Sequence, residues 1–173
     1  MATPAAFLDR DGVINVDSGY VGCWEDFEYL PDAIDGLSLL QKLGLKLVVV
    51  TNQSGIARGY YTEKDFIRLT QTMKEDLSSR GVDLSAVYYC PYLVDAESEP
   101  YRIESVLRKP EPGMLLLAAQ EHDPDLSRSI MAGDKGSDLV AAQRAVVRYR
   151  FQLTSGAGRG RARREPGRRS PAR

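Results

Sequence analysis

The sequence predicts an α/β fold in three layers, with a parallel β-sheet between helices that cover both of its faces. Short apolar runs alternate along the chain with segments whose apolar residues recur every three to four positions, as they do in helices. The run Leu45–Val50 is rich in β-branched residues, which is typical of a strand buried on both faces of a parallel sheet. With 173 residues and 43% hydrophobic content, the chain is long enough to bury a substantial core.

The first half of the chain is expected to supply two strands and two helices. Ala5–Leu8 is the first strand. A helix opens at Pro31-Asp32 and closes at Gly44, with apolar residues at helical spacing between them: Ile34, Leu37, Leu40 and Leu43. Leu45–Val50 is the second strand. Thr62 then begins a helix, with Asp65 three positions on as in a capping box, and its apolar face is Phe66, Leu69, Met73 and Leu77.

The second half continues this alternation around a long loop. A short strand at Val87–Tyr89 leads into a loop from Cys90 to Leu107, and loops of that length are usually functional or mobile. The remaining elements are a helix around Met114–Gln120, a strand at Ser129–Ala132, a helix at Leu139–Ala145 and a last strand near Val147–Leu153. Together they predict one Rossmann-like domain over residues 1–154 without a large cap domain.

Residues 155–173 differ from the rest of the chain in composition. They are rich in Gly, Pro and Arg and lack apolar periodicity, which predicts a disordered tail. Their seven arginines and one glutamate carry +6, which leaves −7 on residues 1–154 of a total of −1. A body this acidic has no basic track for nucleic acid.

Cysteine content and apolar runs indicate where the protein resides. Cys23 and Cys90 are too few and too far apart for a disulfide framework, which favours a reducing compartment. No signal peptide is visible, and no apolar run approaches the length of a membrane span. We expect a cytoplasmic protein without a membrane partner.

Polar residues of related chemistry follow three of the predicted strands. Asp9 and Asp11 follow the first strand and precede Gly12, Thr51-Asn52 follow the second, and Asp134-Lys135 follow the strand at Ser129–Ala132. Ligands of open α/β sheets bind at the carboxyl ends of strands, so these residues are expected to meet in one crevice. Taken alone, Asp9 to Asp11 also fits a solvated Asp-Arg-Asp turn, whereas paired carboxylates with a phosphate ligand favour Mg²⁺.

These residue types suit phosphoryl transfer, which depends on positioning and on charge neutralisation. One Asp can act as nucleophile through an aspartyl-phosphate. A second carboxyl can protonate the leaving oxygen and later activate water. A third Asp completes a magnesium site, and a hydroxyl, an amide and a lysine can hold the phosphoryl oxygens.

The motifs resemble those of the haloacid-dehalogenase (HAD) phosphatases. DxDGV, a strand-terminal Thr-Asn, a distant Lys and GDK…D correspond to the four motifs of that superfamily. The longer strings are similar to the D-glycero-D-manno-heptose 1,7-bisphosphate 7-phosphatases, which are grouped with histidinol-phosphate phosphatases: FLDRDGVINVD-GY, VVVTNQSGIARG, RGVDL…YYCP, RKPxPGMLL and GDKxxD. The resemblance runs from about Phe7 to Ala145.

The resemblance implies a role for each matching residue. Asp9 is implied as nucleophile and Asp11 as general acid and base, while Thr51 and Lys109 stabilise the transferring phosphoryl group. Asp9, the backbone carbonyl of Asp11 and Asp134 are implied as Mg²⁺ ligands. The implied substrate-binding residues are Asp17, Ser18, Gly19, Tyr20, Asn52, Gln53, Ser54, Arg108 and Lys135.

Each of these residues also has a structural interpretation. Thr51 fits a strand-end cap, and Lys109 and Arg108 fit solvated loop charges. Asp138 is interpreted as a helix-surface or supporting acid rather than a metal ligand. His122, the only histidine, is expected at the surface.

The loop after Tyr89 departs from the family pattern. Members often carry zinc there on a C-x-H…C-x-C set, but the four positions read Cys90, Tyr92, Ser105 and Leu107. A structural zinc site needs four N or S ligands, so no zinc is expected. The loop is then either mobile or held by inward packing of Tyr92, Leu93, Val94 and Tyr101.

Val146 and the Arg-rich tail stand where a longer final helix region is expected. We therefore expect the C-terminal edge of the fold to be truncated or poorly packed, with reduced stability.

The resemblance implies a Mg²⁺-dependent phosphatase that removes the C7 phosphate of the heptose bisphosphate. The product, heptose 1-phosphate, would supply nucleotide-activated heptose for lipopolysaccharide or capsule. A histidinol-phosphate phosphatase and a non-catalytic phospholigand-binding protein are the alternatives. The expected partner is a small phosphorylated sugar, without nucleic acid, and the family favours a monomer.

Overall fold

The fold is built on a parallel sheet of five strands in the order β3-β2-β1-β4-β5. A computed structural model of the chain describes residues 2–154. The strands are β1 (Ala5–Leu8), β2 (Lys46–Asn52), β3 (Leu84–Cys90), β4 (Ile130–Gly133) and β5 (Tyr149–Gln152). The helices are α1 (Ala33–Lys42), α2 (Ser54–Ala57), α3 (Glu63–Ser79), α4 (Gly113–His122) and α5 (Gly136–Arg144). Single 3₁₀ turns lie at Trp24–Asp26 and Glu99–Tyr101.

Two apolar cores lie on opposite faces of the sheet, which confirms the predicted three layers. Phe7 of β1 packs with Met114 and Leu115 of α4 and with the alanines of α5. Leu8 points to the other face, where it joins a core that includes Leu37 of α1 and Met73 and Leu77 of α3. Adjacent residues of a buried strand thus serve different cores, because side chains alternate along a strand.

The strand order places β1 at the centre and creates a switch point beside it. β1 pairs in parallel with β2 on one side and with β4 on the other. The chain runs outward from β1 to β3 and then returns across the sheet to β4. The carboxyl ends of β1, β2 and β4 are therefore neighbours, which is where open α/β sheets bind their ligands.

Most predicted elements are confirmed, and two strands are longer than predicted. β3 begins at Leu84 instead of Val87, and β2 continues through Thr51 and Asn52. The predicted capping box of α3 is present: the Thr62 hydroxyl accepts the Asp65 N–H, and the Asp65 carboxylate accepts the Thr62 N–H. Within residues 2–154, no helix is long and apolar enough to cross a membrane. The predicted tail lies outside the described residues.

Candidate active site

Asp9 and Lys109 form the buried centre of the site. The Lys109 ammonium lies 3.0 Å from Asp9 Oδ1 and 2.7 Å from Asp138 Oδ1, and it also donates to the Val50 carbonyl at 2.7 Å. Burial raises the pKa of Asp9 to about 6, although the Lys109 ammonium beside it acts in the opposite direction. Burial alone would lower the pKa of Lys109, but the two carboxylates outweigh it and raise that pKa.

The structural interpretations of Lys109 and Asp138 as surface groups are wrong. Lys109 is 3% exposed and Asp138 is 1% exposed. Asp138 accepts the Lys135 backbone N–H at 3.0 Å in addition to its ion pair with Lys109. Asp138 is therefore a supporting acid inside the site. Its helical spacing alone gave no sign of this, because the ion pair joins residues far apart in the sequence.

Asn52 positions Lys109 through the main chain. The Asn52 amide donates to the Lys109 carbonyl at 3.0 Å and accepts the Lys109 N–H at 3.0 Å. This reciprocal pair links the end of β2 to the loop before α4. It occupies both polar atoms of the Asn52 side chain, which the sequence assigned to substrate binding.

Asp11 lies at the centre of a second polar group. Its Oδ1 accepts from Arg10 Nε at 3.2 Å, Arg10 Nη2 at 2.8 Å and Asn15 Nδ2 at 3.0 Å. Its Oδ2 accepts from Gln53 Nε2 at 3.1 Å. Arg10 is 1% exposed, so the interpretation of this stretch as a solvated turn is wrong.

Thr51 is joined to this group through Gln53. The Gln53 amide donates to Thr51 Oγ1 at 2.9 Å as well as to Asp11. The Gln53 carbonyl oxygen in turn accepts the Tyr61 hydroxyl. Thr51 is fully buried and lies inside β2, so it is more than a cap at the end of that strand.

The ring of Tyr61 fills a slot between two glycines. A Cβ atom at Gly22 or at Gly55 would lie 2.4 Å from a ring carbon of Tyr61. Burial raises the pKa of the Tyr61 phenol, which therefore stays a hydrogen-bond donor at neutral pH. Tyr61, Arg10 and Asn15 do not stand out in the sequence. Some of their partners lie on other segments, and the contacts with near neighbours depend on where each side chain points in the folded protein.

Three carboxylates offer oxygens for a divalent cation. Oxygen atoms of Asp9, Asp134 and Asp138 all lie within 4.8 Å of one another. Asp134 Oδ1 is buried and has no hydrogen-bond partner among the described residues. Gly12, at φ +83°, leaves the space beside Asp134, because a Cβ there would lie 2.4 Å from Asp134 Oδ2. Carboxylate oxygens, one of them buried and without a hydrogen-bond partner among the described residues, fit Mg²⁺, which binds carboxylate and phosphate oxygens.

The remaining predicted residues lie around the rim. Lys135 Nζ lies 3.6 Å from Asp17 Oδ2. This contact places the Asp17–Tyr20 segment near the carboxyl end of β4. Gly19 donates its N–H to Asp17 Oδ1 at 3.2 Å, and Ser18 is exposed. Tyr20 has φ +55° and its ring lies 4.6 Å from that of Tyr60. Ser54 begins α2.

The long loop before Lys109 is held by polar and apolar contacts. The Glu63 carboxylate accepts the hydroxyl of Tyr89 at 2.8 Å and that of Tyr101 at 2.9 Å. Leu93 is buried against Ala57 and Ala96, with Tyr101 beside them.

Of the four residues expected to pack inward from this loop, only Val94 differs, whereas Tyr92, Leu93 and Tyr101 contact buried clusters. The expectation for Val94 is wrong, since Val94 is 60% exposed. Tyr92 packs partly against the core under α4, and its carbonyl accepts Arg108 Nη1 at 3.4 Å. Of the four zinc-pattern positions, Cys90 has a buried thiol whose pKa is raised by burial, and Tyr92, Ser105 and Leu107 occupy the others. His122 is partly exposed, and its ring lies 6.3 Å from that of Tyr88.

The chain is similar over most of its length to proteins of one name. It is 47% identical to the D-glycero-beta-D-manno-heptose-1,7-bisphosphate 7-phosphatase of Photorhabdus laumondii, over 88% of this chain and 81% of that protein. It is also 47% identical to the protein of the same name from Escherichia coli K12, over 90% of this chain and 81% of that one. The HAD-hydrolase-like family matches residues 106–168.

A solved structure has the same fold and a related name. The D,D-heptose 1,7-bisphosphate phosphatase from B. bronchiseptica, complexed with magnesium and phosphate, superposes with a TM-score of 0.77. It shares 30% sequence identity, and the match covers 90% of this chain and 83% of that one.

Proposed function

We propose a reaction for this chain on one premise: it belongs to the family of D-glycero-beta-D-manno-heptose-1,7-bisphosphate 7-phosphatases, within the HAD group of hydrolases. The chain hydrolyses the C7 phosphate of the heptose bisphosphate and releases heptose 1-phosphate and inorganic phosphate. The convergence of Asp9, Asp11, Thr51 and Asp134 at neighbouring strand ends, with Lys109 reaching Asp9 from the loop before α4, supports this reaction. The product serves the synthesis of nucleotide-activated heptose.

Asp9 is the nucleophile in this proposal. Its Oδ1 accepts the Arg10 N–H at 2.9 Å and the Lys109 ammonium at 3.0 Å, which leaves Oδ2 to attack phosphorus. The new bond to phosphorus forms as the bond between phosphorus and the C7 oxygen breaks. Because burial raises the pKa of Asp9 only to about 6, the carboxylate is mostly ionised at neutral pH and able to attack.

Asp11 handles the proton in both halves of the reaction. It protonates the leaving C7 oxygen as the aspartyl-phosphate forms, and it takes a proton from the water that then attacks phosphorus. The second attack breaks the bond between phosphorus and Asp9 and frees inorganic phosphate. Thr51 and Lys109 neutralise and orient the phosphoryl oxygens, where fixed donors are most effective.

Asp9, Asp134 and the Asp11 carbonyl would hold Mg²⁺, with Asp138 orienting Lys109 beside them. Bound Mg²⁺ neutralises charge on the phosphoryl group and fixes its orientation. The other proposed substrate contacts are the buried Gln53 beside Asp11 and these residues of the rim: Asp17, Ser18, Gly19, Tyr20, Ser54, Arg108 and Lys135. Asn52 contributes by positioning Lys109.

Phosphate release from a substrate panel tests the proposal. The purified protein is expected to hydrolyse the heptose bisphosphate in the presence of Mg²⁺ and to lose activity when Mg²⁺ is chelated. ³¹P NMR should show loss of the C7 signal with the C1 signal retained. Turnover of histidinol phosphate without turnover of the bisphosphate would reassign the substrate, and activity in Asp9→Asn with the fold intact would refute the nucleophile.

We infer that the 90–107 loop is ordered without zinc. Glu63 of α3 accepts the hydroxyl of Tyr101 in the loop and that of Tyr89 at the end of β3, so it joins the loop to both elements. Arg102 adds bonds to the carbonyls of Ala96 at 2.7 Å and Glu97 at 2.9 Å.

Metal analysis tests this inference. Purified protein is expected to contain far less than one zinc per chain, and a zinc chelator should leave the unfolding temperature unchanged. One equivalent of zinc that resists dialysis would contradict it.

A small phosphorylated sugar is the only partner that the proposal requires. The protein is proposed to act as a monomer in the cytoplasm, without nucleic acid. The free thiols of Cys23 and Cys90 support a reducing compartment. Light scattering during size-exclusion chromatography is expected to give the mass of a single chain.

A further inference from the structure

We infer that Arg10 is a positioning residue that anchors one oxygen of Asp11 and leaves the other oxygen free to exchange a proton with the substrate. The inference rests on the proposed phosphatase reaction. Arg10 Nε and Nη2 and Asn15 Nδ2 all donate to Asp11 Oδ1, whereas Oδ2 accepts from Gln53. Donors that converge on one oxygen orient the carboxyl group, because hydrogen bonds weaken steeply away from their preferred angles.

The anchor is itself held in place from two further directions. Arg10 Nη2 also donates to the Val21 carbonyl at 2.7 Å, and the guanidinium lies over the Phe66 ring at 5.8 Å from its centre. Asn15 Nδ2 also donates to the Val16 carbonyl at 3.0 Å. Because the guanidinium is planar, contacts at several points fix the direction in which its N–H groups donate to Asp11. A lysine ammonium has no such fixed geometry.

Stability alone does not account for a guanidinium in this position. Arg10 is 1% exposed, and its Nη1 has no hydrogen-bond partner among the described residues. Removing a cation from water is costly, and an apolar residue often serves a buried structural position at least as well. The guanidinium instead makes its shortest side-chain contact with Asp11, at 2.8 Å, which points to a role in orienting that carboxylate.

The second oxygen of Asp11, Oδ2, is linked through Gln53 to the end of β2. Asp11 Oδ2 accepts from Gln53, and the same Gln53 amide donates to Thr51. The Tyr61 hydroxyl donates to the Gln53 carbonyl oxygen, which keeps the amide NH₂ group turned toward Asp11 and Thr51. Oδ2 is therefore the Asp11 oxygen that protonates the C7 oxygen and later accepts a proton from water.

Two substrates separate positioning of Asp11 from a general structural role. The C7 oxygen of the heptose bisphosphate is a poor leaving group that needs a proton, whereas 4-nitrophenyl phosphate releases 4-nitrophenolate, a stable anion that leaves without one. In Arg10→Lys we expect kcat on the bisphosphate to fall about 10- to 100-fold with KM within a few-fold of wild type, because small misplacements have large kinetic effects. Release of nitrophenolate in the first turnover, before water is needed, should change less than about fivefold.

A double-substitution cycle tests whether Arg10 acts through Asp11. Adding Arg10→Lys to Asp11→Asn should lower first-turnover cleavage of the bisphosphate no further, since the two changes remove the same contribution. Equal losses on both substrates, or additive losses in the cycle, would overturn the inference in favour of a structural role.

The second variant and the control keep these outcomes separable. Asn15→Leu removes one donor to Asp11 Oδ1 and keeps Arg10, so it should show the same dependence on the leaving group, and it carries the test if Arg10→Lys does not fold. Loss of that dependence in Asn15→Leu would contradict the role of Arg10 and Asn15 in orienting Asp11.

The control is Arg80→Lys, which alters an exposed ion pair with Asp76 and should leave the rates on both substrates unchanged. A wild-type protein that hydrolyses no sugar phosphate would refute the proposed function, whereas an active wild type with an unimpaired Arg10→Lys would refute this inference alone.

Discussion

Lys109 is the residue on which the charges of the site depend. Its ammonium contacts carboxylates from the end of β1 and from α5, and both it and its partners are almost fully buried. Removing one member of such a cluster leaves the remaining charges without compensation. The ammonium therefore affects both the stability of the fold and the chemistry at phosphorus.

We predict that Lys109→Met lowers the free energy of unfolding by about 3 kcal/mol at pH 7, because Asp9 and Asp138 are left facing each other. Activity should fall by at least about 100-fold, through loss of a donor to the phosphoryl oxygens. Urea unfolding and phosphate release measure the two effects. Lys135→Met, which alters a more exposed contact with Asp17, should change stability by less than about 1 kcal/mol. Equal stability losses in the two variants would contradict the prediction.

Val146 is a second residue with consequences for stability. α5 ends in a pair of bonds, from the Val146 N–H to the Gln143 carbonyl and from the Val147 N–H to the Ala142 carbonyl. This Schellman motif needs a left-handed residue that is usually glycine, but here it is valine, at φ +62°. The expected low stability of this part of the chain thus has a local physical cause.

Val146→Gly is predicted to raise the free energy of unfolding by about 1 kcal/mol, since relief of the left-handed strain exceeds the entropy that glycine loses. Val146 is 76% exposed, so the change removes little buried surface. Chemical denaturation measures the gain. Val146→Ala keeps a Cβ in the strained conformation and should gain less. An unchanged or lower stability of the glycine variant would show that the strain is absent.

The sequence predicted which polar residues follow the ends of neighbouring strands better than it predicted their contacts. Asp9, Thr51 and Asp134 were recognisable because each follows an apolar strand and carries a ligand-type group. Arg10 was not, because a charged residue between two aspartates is expected to be solvated unless its partners are known. Its partner Val21 and its neighbour Phe66 are brought to it only by the folded chain.

Helix α3 illustrates an element whose ends are set by local sequence. Thr62 and Asp65 form the predicted capping box, and the periodic residues from Phe66 to Leu77 are buried. Its stability contribution depends on pH, because hydrogen bonds from Thr62 lower the pKa of Asp65 below its ordinary value.

We predict that Asp65→Asn changes how the free energy of unfolding depends on pH in the acidic range. A carboxyl with a lowered pKa in the folded state stabilises the fold above its ordinary pKa of 3.8, and this contribution is lost as pH falls through the lowered value. A carboxylate in the first turn of a helix typically contributes about 0.3–1 kcal/mol, and asparagine lacks that charge. The variant should therefore be less stable than wild type at pH 7 and converge with it near pH 2. Denaturant unfolding at several pH values measures this, and a constant difference across the range would contradict it.

Strand β3 illustrates an element that local sequence defines poorly. Only its end residues Leu84 and Cys90 are buried, while Ser85 is exposed and the four residues after it are partly exposed, and the register with β2 shifts next to Leu47. Only the Val-Tyr-Tyr segment stands out as β-prone. The start of the strand is determined by pairing with β2, which a reading of residues 84–86 alone does not reveal.

At the scale of the whole molecule, the described part of the two cores of the sheet runs from Ala5 to Val147. β5 pairs with β4 along its length, and the Leu153 N–H still bonds to the Gly133 carbonyl at 2.7 Å. Of the total charge of −1, residues 155–173 carry +6 and the rest carries −7. The folded body and the segment after it therefore differ in both composition and charge.

A chain that ends at Thr154 is predicted to retain its fold and its activity. Its midpoint of urea unfolding should match that of the full chain, because the truncation keeps every described core residue, from Ala5 to Val147. Its isoelectric point should fall below the 5.9 of the full sequence, since seven arginines are removed. Denaturation curves and isoelectric focusing measure these effects. A lower unfolding midpoint would show that the last residues contribute to the folded body.

The slot around Tyr61 links three segments that are separate in the sequence. Gly22 lies in the loop after Asp17–Tyr20, Gly55 lies in α2, and Tyr61 precedes the cap of α3. A larger residue at either glycine collides with the ring unless position 61 becomes smaller at the same time. These three positions are therefore expected to vary together. A single replacement at Gly22 or Gly55 should be selected against. Paired replacements that keep the total side-chain volume in the slot remain accessible to evolution and to library design.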